Sequence, residues 1–223
     1  WQSTQPTVFS AVSAIYQSII EMVQRTGVEL YTPRLIRHAA CPISERSRQQ
    51  VEELFRRPLH LMYAMTEAVG MFGTPLNEKT PAGSCGKSFC GEARVVDRAT
   101  GLPAGPGVRG EVQTRGPHLF SGYHEDPAAT QAAMKDGWLC SGDEGYFDEG
   151  GNLFLTGRYK DVIIRGGENI MPLEVDIVLA SHPAVKEALT FAVPCERVGE
   201  EVAAAVVLRA GSSGQAQDLQ SYA

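Results

Sequence analysis

The chain has 223 residues, of which 43% are hydrophobic and 21% charged, and its formal net charge is −6 at pH 7. Such a chain can bury a core of its own, and an acidic balance without a basic run argues against nucleic-acid binding. No apolar stretch approaches the roughly 20 residues that cross a bilayer. The five cysteines fit neither a disulfide framework nor a zinc pattern, which indicates a reducing, intracellular compartment.

The first part of the chain alternates helical and extended patterns. Apolar residues recur at helical intervals in 11–24, and Gly27 offers a helix end. Ser44 is a candidate N-cap for an amphipathic helix that runs toward residue 57. A short apolar run follows each helix, "LYTPRLIRHAA" after the first and "PLHLMYAM" after the second. This alternation predicts an α/β fold with a parallel sheet and crossover helices.

The pattern changes twice in the second half. From Gly83 onward, short strands punctuated by glycines predict a layer of hairpins. After Arg158 the order strand, helix, strand, strand predicts a compact α+β piece, and 211–217 is a flexible stretch. We therefore predict a domain boundary near 156–160, with domains 1–157 and 158–223.

Thr66 and Glu67 are the first candidates for chemistry. They follow a buried strand, and ligands bind at the carboxyl ends of strands in open α/β sheets. A carboxylate there can hold Mg²⁺, which takes one or two protein carboxylates together with substrate phosphates. The alternative is a helix start, with Thr66 as N-cap and Glu67 favourable to the helix dipole.

Asp143 and Arg158 are a second pair. A carboxylate accepts hydrogen bonds through both oxygens, which suits a ribose diol, and the guanidinium fork suits a diol or a phosphate. The alternative for Asp143 is a turn residue that caps its own backbone, and for Asp148 that turn interpretation is the better one.

Several long motifs now occur in a specific order: "YAMTEA", "GEVQTRGPHLFSGYHEDPAAT", "DGWLCSGDEGYFDEGGNLFLTGR" and "KDVIIRGGENIMPLEVD". Together they resemble the adenylate-forming superfamily of acyl-CoA synthetases, aryl-CoA ligases, luciferases and peptide-synthetase adenylation domains. The likeness is strongest to AMP-dependent acid–CoA ligases, including the oxalate–CoA and 4-coumarate–CoA ligase branches. It implies the second half of a large α/β plus β-barrel adenylation domain, followed by the start of a small α+β C-terminal domain.

The resemblance also implies a chemistry. A carboxylic acid attacks the α-phosphate of ATP to give an acyl-adenylate and pyrophosphate, and the thiol of coenzyme A then displaces AMP. By position, the resemblance implies that the Tyr63 ring stacks on adenine and that Leu155 lines the adenine pocket. It implies that Thr66 contacts the phosphates, that Glu67 binds Mg²⁺, and that Asp143 and Arg158 bind the ribose.

Lys160, Gly166 and Gly167 correspond to moving parts of the family. Lys160 falls at the hinge about which the small domain rotates between two poses, and a hinge needs residues that absorb a large change in φ and ψ. The glycines match a loop that approaches the pantetheine tunnel, where we expect the missing Cβ to allow close approach.

The implied acyl pocket is the least regular part. Its residues are His38, Ala39, Ala40, Cys41 and Ala64. His38 stands where many relatives have a small residue, and it either contacts the acyl group or fills space. Val8 and Val69 offer no charge to a second carboxylate, so a short or medium aliphatic or aryl acid fits as well as oxalate.

Two parts of the family pattern do not occur in these 223 residues: the Ser/Thr/Gly-rich loop with Pro-Lys-Gly, and the catalytic lysine near the C-terminus of the small domain. We therefore expect an internal segment that cannot form an adenylate alone.

The alternatives are a non-catalytic nucleotide-binding or structural subunit, and an adenylation domain that loads a carrier protein. The implied partner is a small carboxylic acid, and the implied compartment is the cytoplasm or the peroxisome.

Overall fold

A computed structural model describes residues 3–39, 43–76, 78, 80–212 and 215–223. The described residues divide into two compact units, those within 1–141 and 146–154, and those within 142–145 and 155–223. The predicted domain border at 157/158 stays a prediction. No helix in the described ranges is long and apolar enough to cross a membrane.

The first unit begins with a sheet whose leading strands are joined by helices. The elements of this first sheet are β1 (Val8–Ala11), α1 (Ser13–Thr26), β2 (Leu35–Ala39), α2 (Glu45–Phe55), β3 (Leu59–Met65), β4 (Ala68–Gly73) and β5 (Lys87–Ser88). Strands β1, β2 and β3 are parallel, with Ile36 opposite Phe9 and Leu59, whereas β4 and β5 are antiparallel. The predicted α/β sheet with crossover helices is confirmed; β1 and β4 were not predicted.

Local signals set the helix ends as expected. Helix α1 ends at Gly27, whose φ of 65° is the left-handed conformation that glycine adopts at low cost. The Ser44 side chain accepts a hydrogen bond from the Ser47 backbone N–H, which caps α2. The buried residues between the helices and the sheet are Ala11, Tyr16, Ile20, Ile36, Val51, Phe55, Leu59 and Leu61. Leu59 and Leu61 of β3 belong to this cluster, and His60 between them is buried on the opposite face, so both faces of this part of β3 are covered.

The second sheet is the predicted layer of hairpins. Its elements are β6 (Glu92–Val96), β7 (Gly110–Arg115), α3 (Pro127–Ala133), β8 (Met134–Lys135), β9 (Trp138–Phe147) and β10 (Leu153–Arg158), with spatial order β10-β9-β7-β6 and β8 beside β9. The guanidinium groups of Arg94 and Arg115 lie 4.1 and 4.6 Å from the Trp138 ring centroid. These cation–π contacts shield the indole at the start of β9. Helix α3 was not predicted.

The second unit holds the third sheet. Its elements after the 3₁₀ turn Tyr159–Asp161 are β11 (Ile163–Arg165), β12 (Glu168–Ile170), α4 (Pro172–Ser181), β13 (Val185–Cys195), β14 (Gly199–Leu208) and α5 (Ala216–Tyr222), and the sheet order is β12-β11-β14-β13. Pro172 occupies the first turn of α4, where its missing N–H is not needed. Buried Leu179, Val185 and Leu219 form its core. The predicted strand, helix, strand, strand order is present; β12 was not predicted, and α5 takes up the end of the stretch expected to be flexible.

Candidate functional site

Thr66 and Glu67 lie at the tip of the β3–β4 hairpin. Met65 pairs with Ala68, so the two residues form the whole connection between the strands. The interpretation of Thr66 as a helix N-cap is therefore wrong, because the chain turns back into a strand. The placement at the carboxyl end of the buried strand β3 is as expected. Thr66 is exposed and Glu67 is half-buried, so the turn presents a hydroxyl and a carboxylate together.

Glu67 is held by a segment far along the chain. Its Oε1 accepts a hydrogen bond of 2.7 Å from the Tyr123 phenol, and its backbone oxygen accepts one of 2.8 Å from the Phe120 N–H. The hydrogen bond to Glu67, followed by burial and the carboxylate charge, raises the pKa of Tyr123. The phenol therefore stays protonated at neutral pH and acts as a donor. Tyr123 lies within one of the family motifs, but the sequence alone did not indicate it as a site residue.

Tyr63 and Ala64 are neighbours on β3, but their side chains differ in exposure to solvent. Ala64 is exposed, whereas Tyr63 is only 6% exposed and its ring lies 6.0 Å from that of Phe72. The resemblance implies a Tyr63 ring that stacks on adenine. The structure instead packs this ring into the protein, because alternate residues of a strand face opposite sides.

His38 is fully buried on β2, on the same side as Ile36. Its Nε2 lies 2.8 Å from the Ser13 hydroxyl, and its ring centroid lies 6.3 Å from that of Tyr16. Of the two alternatives for His38, the buried ring agrees with the one in which it fills interior space. Ala39 is half-buried at the end of β2. Ala40 and Cys41, predicted for the same pocket, lie outside the described residues.

Asp143 and Arg158 form an ion pair in the second unit. The Arg158 Nε lies 3.0 Å from Asp143 Oδ1; Asp143 is 6% exposed, and the Arg158 side chain is 56% exposed. Asp143 lies inside β9, so its interpretation as a turn residue is wrong. Asp148 does cap its own turn, because its Oδ1 accepts from the Asn152 N–H at 2.7 Å. Leu155 is half-buried on β10.

Lys160 and the two glycines lie in exposed connections of the second unit. Lys160 belongs to the 3₁₀ turn before β11. Arg165 pairs with Glu168, so Gly166 (φ 60°) and Gly167 (φ 92°) form the hairpin turn, and the Gly166 N–H donates to the Val198 oxygen at 2.8 Å. A Cβ on Gly167 would meet nothing within 4 Å. The positive φ angles account for the glycines in this turn, and their approach to the pantetheine tunnel stays a prediction.

The structure brings the predicted residues together in two sets. Within the first unit, Tyr63, Ala64, Thr66 and Glu67 share β3 and its turn; within the second, Asp143 contacts Arg158. Among the residues that the structure describes, no group of three or more His, Cys, Asp or Glu side chains could hold a metal ion. A single carboxylate such as that of Glu67 can bind a cation that takes its other ligands from a substrate and from water, as Mg²⁺ commonly does.

Family models match both parts of the chain. Residues 1–124 match the AMP-binding enzyme model, and residues 174–223 match the model of the AMP-binding enzyme C-terminal domain. The chain belongs to the AMP-binding enzyme family. The resemblance found in the motifs is confirmed, and with it the mixed α/β fold class.

Similar proteins of this family include two plant CoA ligases. The chain is 41% identical over 210 residues to a probable CoA ligase of Humulus lupulus, covering 92% of this chain and 40% of that protein. It is 38% identical over 220 residues to an oxalate–CoA ligase of Arabidopsis thaliana, covering 97% of this chain and 43% of that protein. The chain therefore spans about two fifths of the length of these relatives.

A solved structure agrees with the fold. It is an o-succinylbenzoate CoA synthetase of Bacillus subtilis in complex with an acyl-adenylate intermediate. The TM-score is 0.80 at 30% identity, over 99% of this chain and 45% of that one. The likeness extends over both units described above.

Proposed function

We propose that this chain is an internal segment of an ATP-dependent carboxylic acid–CoA ligase. In the first step the acid attacks the α-phosphate of ATP, which forms an acyl-adenylate and releases pyrophosphate. In the second step the coenzyme A thiol attacks the acyl carbon, which forms the thioester and releases AMP. Relatives named as CoA ligases and a structural neighbour that binds an acyl-adenylate support this proposal.

The Asp143–Arg158 pair is the observation that carries the proposal. Burying a carboxylate is costly unless it is paired and hydrogen-bonded, and Asp143 is buried beside an arginine that is itself half exposed. A carboxylate fixed in this way is an oriented acceptor, which suits the two hydroxyls of a ribose. The exposed part of the Arg158 guanidinium adds donors for the same ligand.

The other residues take roles that follow from their placement. Thr66 offers a hydroxyl to the nucleotide phosphates, and Glu67 offers a carboxylate oxygen to the Mg²⁺ that accompanies them. When bound, Mg²⁺ would neutralise charge on the phosphates. Lys160 lies at the hinge, and the Gly166–Gly167 turn is assigned to the thioester-forming step. For the acid, exposed Ala64 is a candidate for the floor of the pocket.

The acid itself is proposed only by class. Val8 on β1 and Val69 on β4 are both exposed, and neither offers a charge to a second carboxylate. A short or medium aliphatic or aryl acid is therefore proposed alongside oxalate. The chain contains no Pro-Lys-Gly sequence, and we expect it to release no pyrophosphate by itself.

Binding of AMP to this chain tests the proposal. The change is Asp143→Asn, and Asp136→Asn is the matched control, because Asp136 is exposed in a turn at φ 51°, where Asn is well tolerated. Hydrogen bonds to a charged group contribute about 1.5–3 kcal/mol, so we expect D143N to bind AMP about 10-fold to 100-fold more weakly by calorimetry. The control should bind as the unchanged chain does.

Two results would count against the proposal. Equal AMP affinity of D143N and the unchanged chain would remove Asp143 from the nucleotide site. An intact mass of the protein in its native source near 24.1 kDa would mean that the natural product is no longer than this segment, and would favour the binding or structural alternative. A mass more than about twice that value would support the ligase, and acids would then be assayed for AMP release.

A further inference from the structure

The hydrogen bond between Tyr123 and Glu67 joins residues 56 positions apart in the first unit. At 2.7 Å it is a short, charge-assisted bond between a neutral donor and a carboxylate. A glutamate side chain at a hairpin tip has several rotatable bonds, and holding it in one conformation costs entropy. This contact removes much of that freedom before any ligand arrives.

Tyr123 is itself fixed from more than one side. Its backbone N–H donates to the Thr130 hydroxyl at 2.9 Å, and that hydroxyl donates to the Asp126 backbone oxygen at 2.9 Å. Its ring meets the Phe120 ring edge-on at 4.9 Å. The start of α3 thus anchors the tyrosine, and the tyrosine anchors the glutamate.

The two carboxylate oxygens of Glu67 have different surroundings. Oε1 accepts from the phenol, and within the described ranges no hydrogen bond is made by Oε2. A carboxylate that is held through one oxygen keeps the other oxygen available as a cation ligand.

We propose that Tyr123 is a positioning residue that orients Glu67 so that Oε2 is presented to the divalent cation of a bound nucleotide. This inference rests on the proposed function, because that function assigns the cation to Glu67. A competing account is that Tyr123 only ties the 116–123 segment to the hairpin. The two accounts differ in whether the loss of the hydroxyl changes the affinity for metal or only the stability.

Manganese is the probe that separates the two accounts. Free Mn²⁺ is measured by electron paramagnetic resonance while the chain is titrated in the presence of ATP. The variants are Y123F, which removes only the hydroxyl, and E67Q, which removes the charge. Tyr222→Phe is the matched control: Tyr222 is 46% exposed against 40% for Tyr123, and its hydroxyl lies 3.0 Å from that of Ser181.

Loss of a group that orients a metal ligand commonly weakens metal affinity about 10-fold to 100-fold, so we expect at least about tenfold weaker Mn²⁺ binding for Y123F. E67Q should weaken Mn²⁺ binding by at least as much, and Y222F should bind Mn²⁺ as the unchanged chain does. ATP affinity in excess chelator, without metal, should be the same for Y123F and the unchanged chain. A role limited to tying the segment would not produce this split.

The contrary outcomes are distinct. If E67Q weakens Mn²⁺ binding and Y123F does not, the positioning role is wrong while the proposed function stands. If neither variant changes it, or if the unchanged chain with ATP binds no more Mn²⁺ than ATP alone, Glu67 is not the metal ligand of this chain. The inference then fails together with that part of the proposed function, whereas the AMP result with D143N is unaffected.

Discussion

The two units of the chain are stabilised by different kinds of core. In the first unit the rings of Phe9, Tyr16 and Phe55 pack with centroids 5.6 to 6.0 Å apart, inside a cluster that the parallel strands and both helices share. In the second unit the buried cluster is aliphatic, with Leu179, Val185 and Leu219 packed beside partly buried side chains. Aromatic rings bury large areas, so a buried ring of the first core contributes more buried surface than an aliphatic side chain of the second.

The candidate functional residues of the two units are also held in place differently. The Thr66–Glu67 turn is the direct continuation of the buried strand β3, so packing below the turn fixes its place. The Gly166–Gly167 turn follows a strand of three residues, and its shape is set by the backbone angles of the glycines themselves. In the first unit, substitutions in the core should therefore have the largest effect on stability. In the second unit, substitutions of the turn glycines should also lower stability.

The largest expected effect is in the aromatic core. Phe55→Ala should lower the free energy of unfolding by about 3–5 kcal/mol, because it removes a fully buried ring and leaves a cavity. Leu179→Ala should cost about 2 kcal/mol, the lower end for a leucine, because partly buried neighbours such as Val206 can relax. Urea unfolding measures both.

Leu76→Ala is the control for this comparison, since Leu76 is exposed and surface changes usually stay within about 0.5 kcal/mol. Protection of β3 and of α4 from hydrogen exchange would place each loss in its own unit. A loss for L179A equal to or greater than that for F55A would contradict the ranking of the two cores.

A smaller effect is expected in the glycine turn of the second unit. Gly167→Ala should cost about 1–2 kcal/mol, because an L-residue is strained at positive φ even with open space around its Cβ. Gly105→Ala is the matched control: it also has open space, and its φ lies outside the left-handed region. There alanine should be neutral or stabilising by about 0.4–1 kcal/mol. Similar thermal shifts in the two variants would mean that φ does not constrain the turn.

Much of this fold could be predicted where local rules and packing agree. The ends of α1 and α2 follow from Gly27 and Ser44, and the apolar run of β3 predicts a buried strand. Short elements were missed, because β12 has three residues and β1 four, too few for a periodic pattern. The hairpin at Thr66–Glu67 was missed because neither residue is a strong turn former.

The candidate site could be predicted in part. Family motifs indicated Asp143 and Arg158, and the structure brings this pair into contact. The contact of Tyr123 with Glu67 could not be read from the sequence, because nothing local marks a bond across 56 residues. The burial of Tyr63 and His38 was missed for a related reason: which face of a strand is covered depends on elements distant in sequence.

The smallest expected effect is a pH dependence at His118, in the turn after β7. The His118 Nε2 lies 3.0 Å from the Thr114 hydroxyl, and burial lowers the pKa of the imidazole. Between this lowered pKa and the unfolded value of about 6.5, the unfolded chain binds more protons than the native one. Stability should therefore fall as pH drops below about 6.5, until the native imidazole also protonates.

Thermal unfolding at pH 7.5, 6.5 and 5.5 measures this dependence. His118→Gln cannot titrate, so its decline over that range should be shallower than that of the unchanged chain. His124→Gln is the control, because it replaces a histidine whose side chain is exposed. If H118Q does not change the dependence of the unfolding temperature on pH, the His118 imidazole is solvated in the native state. The packing of the first unit would then not bury this side chain.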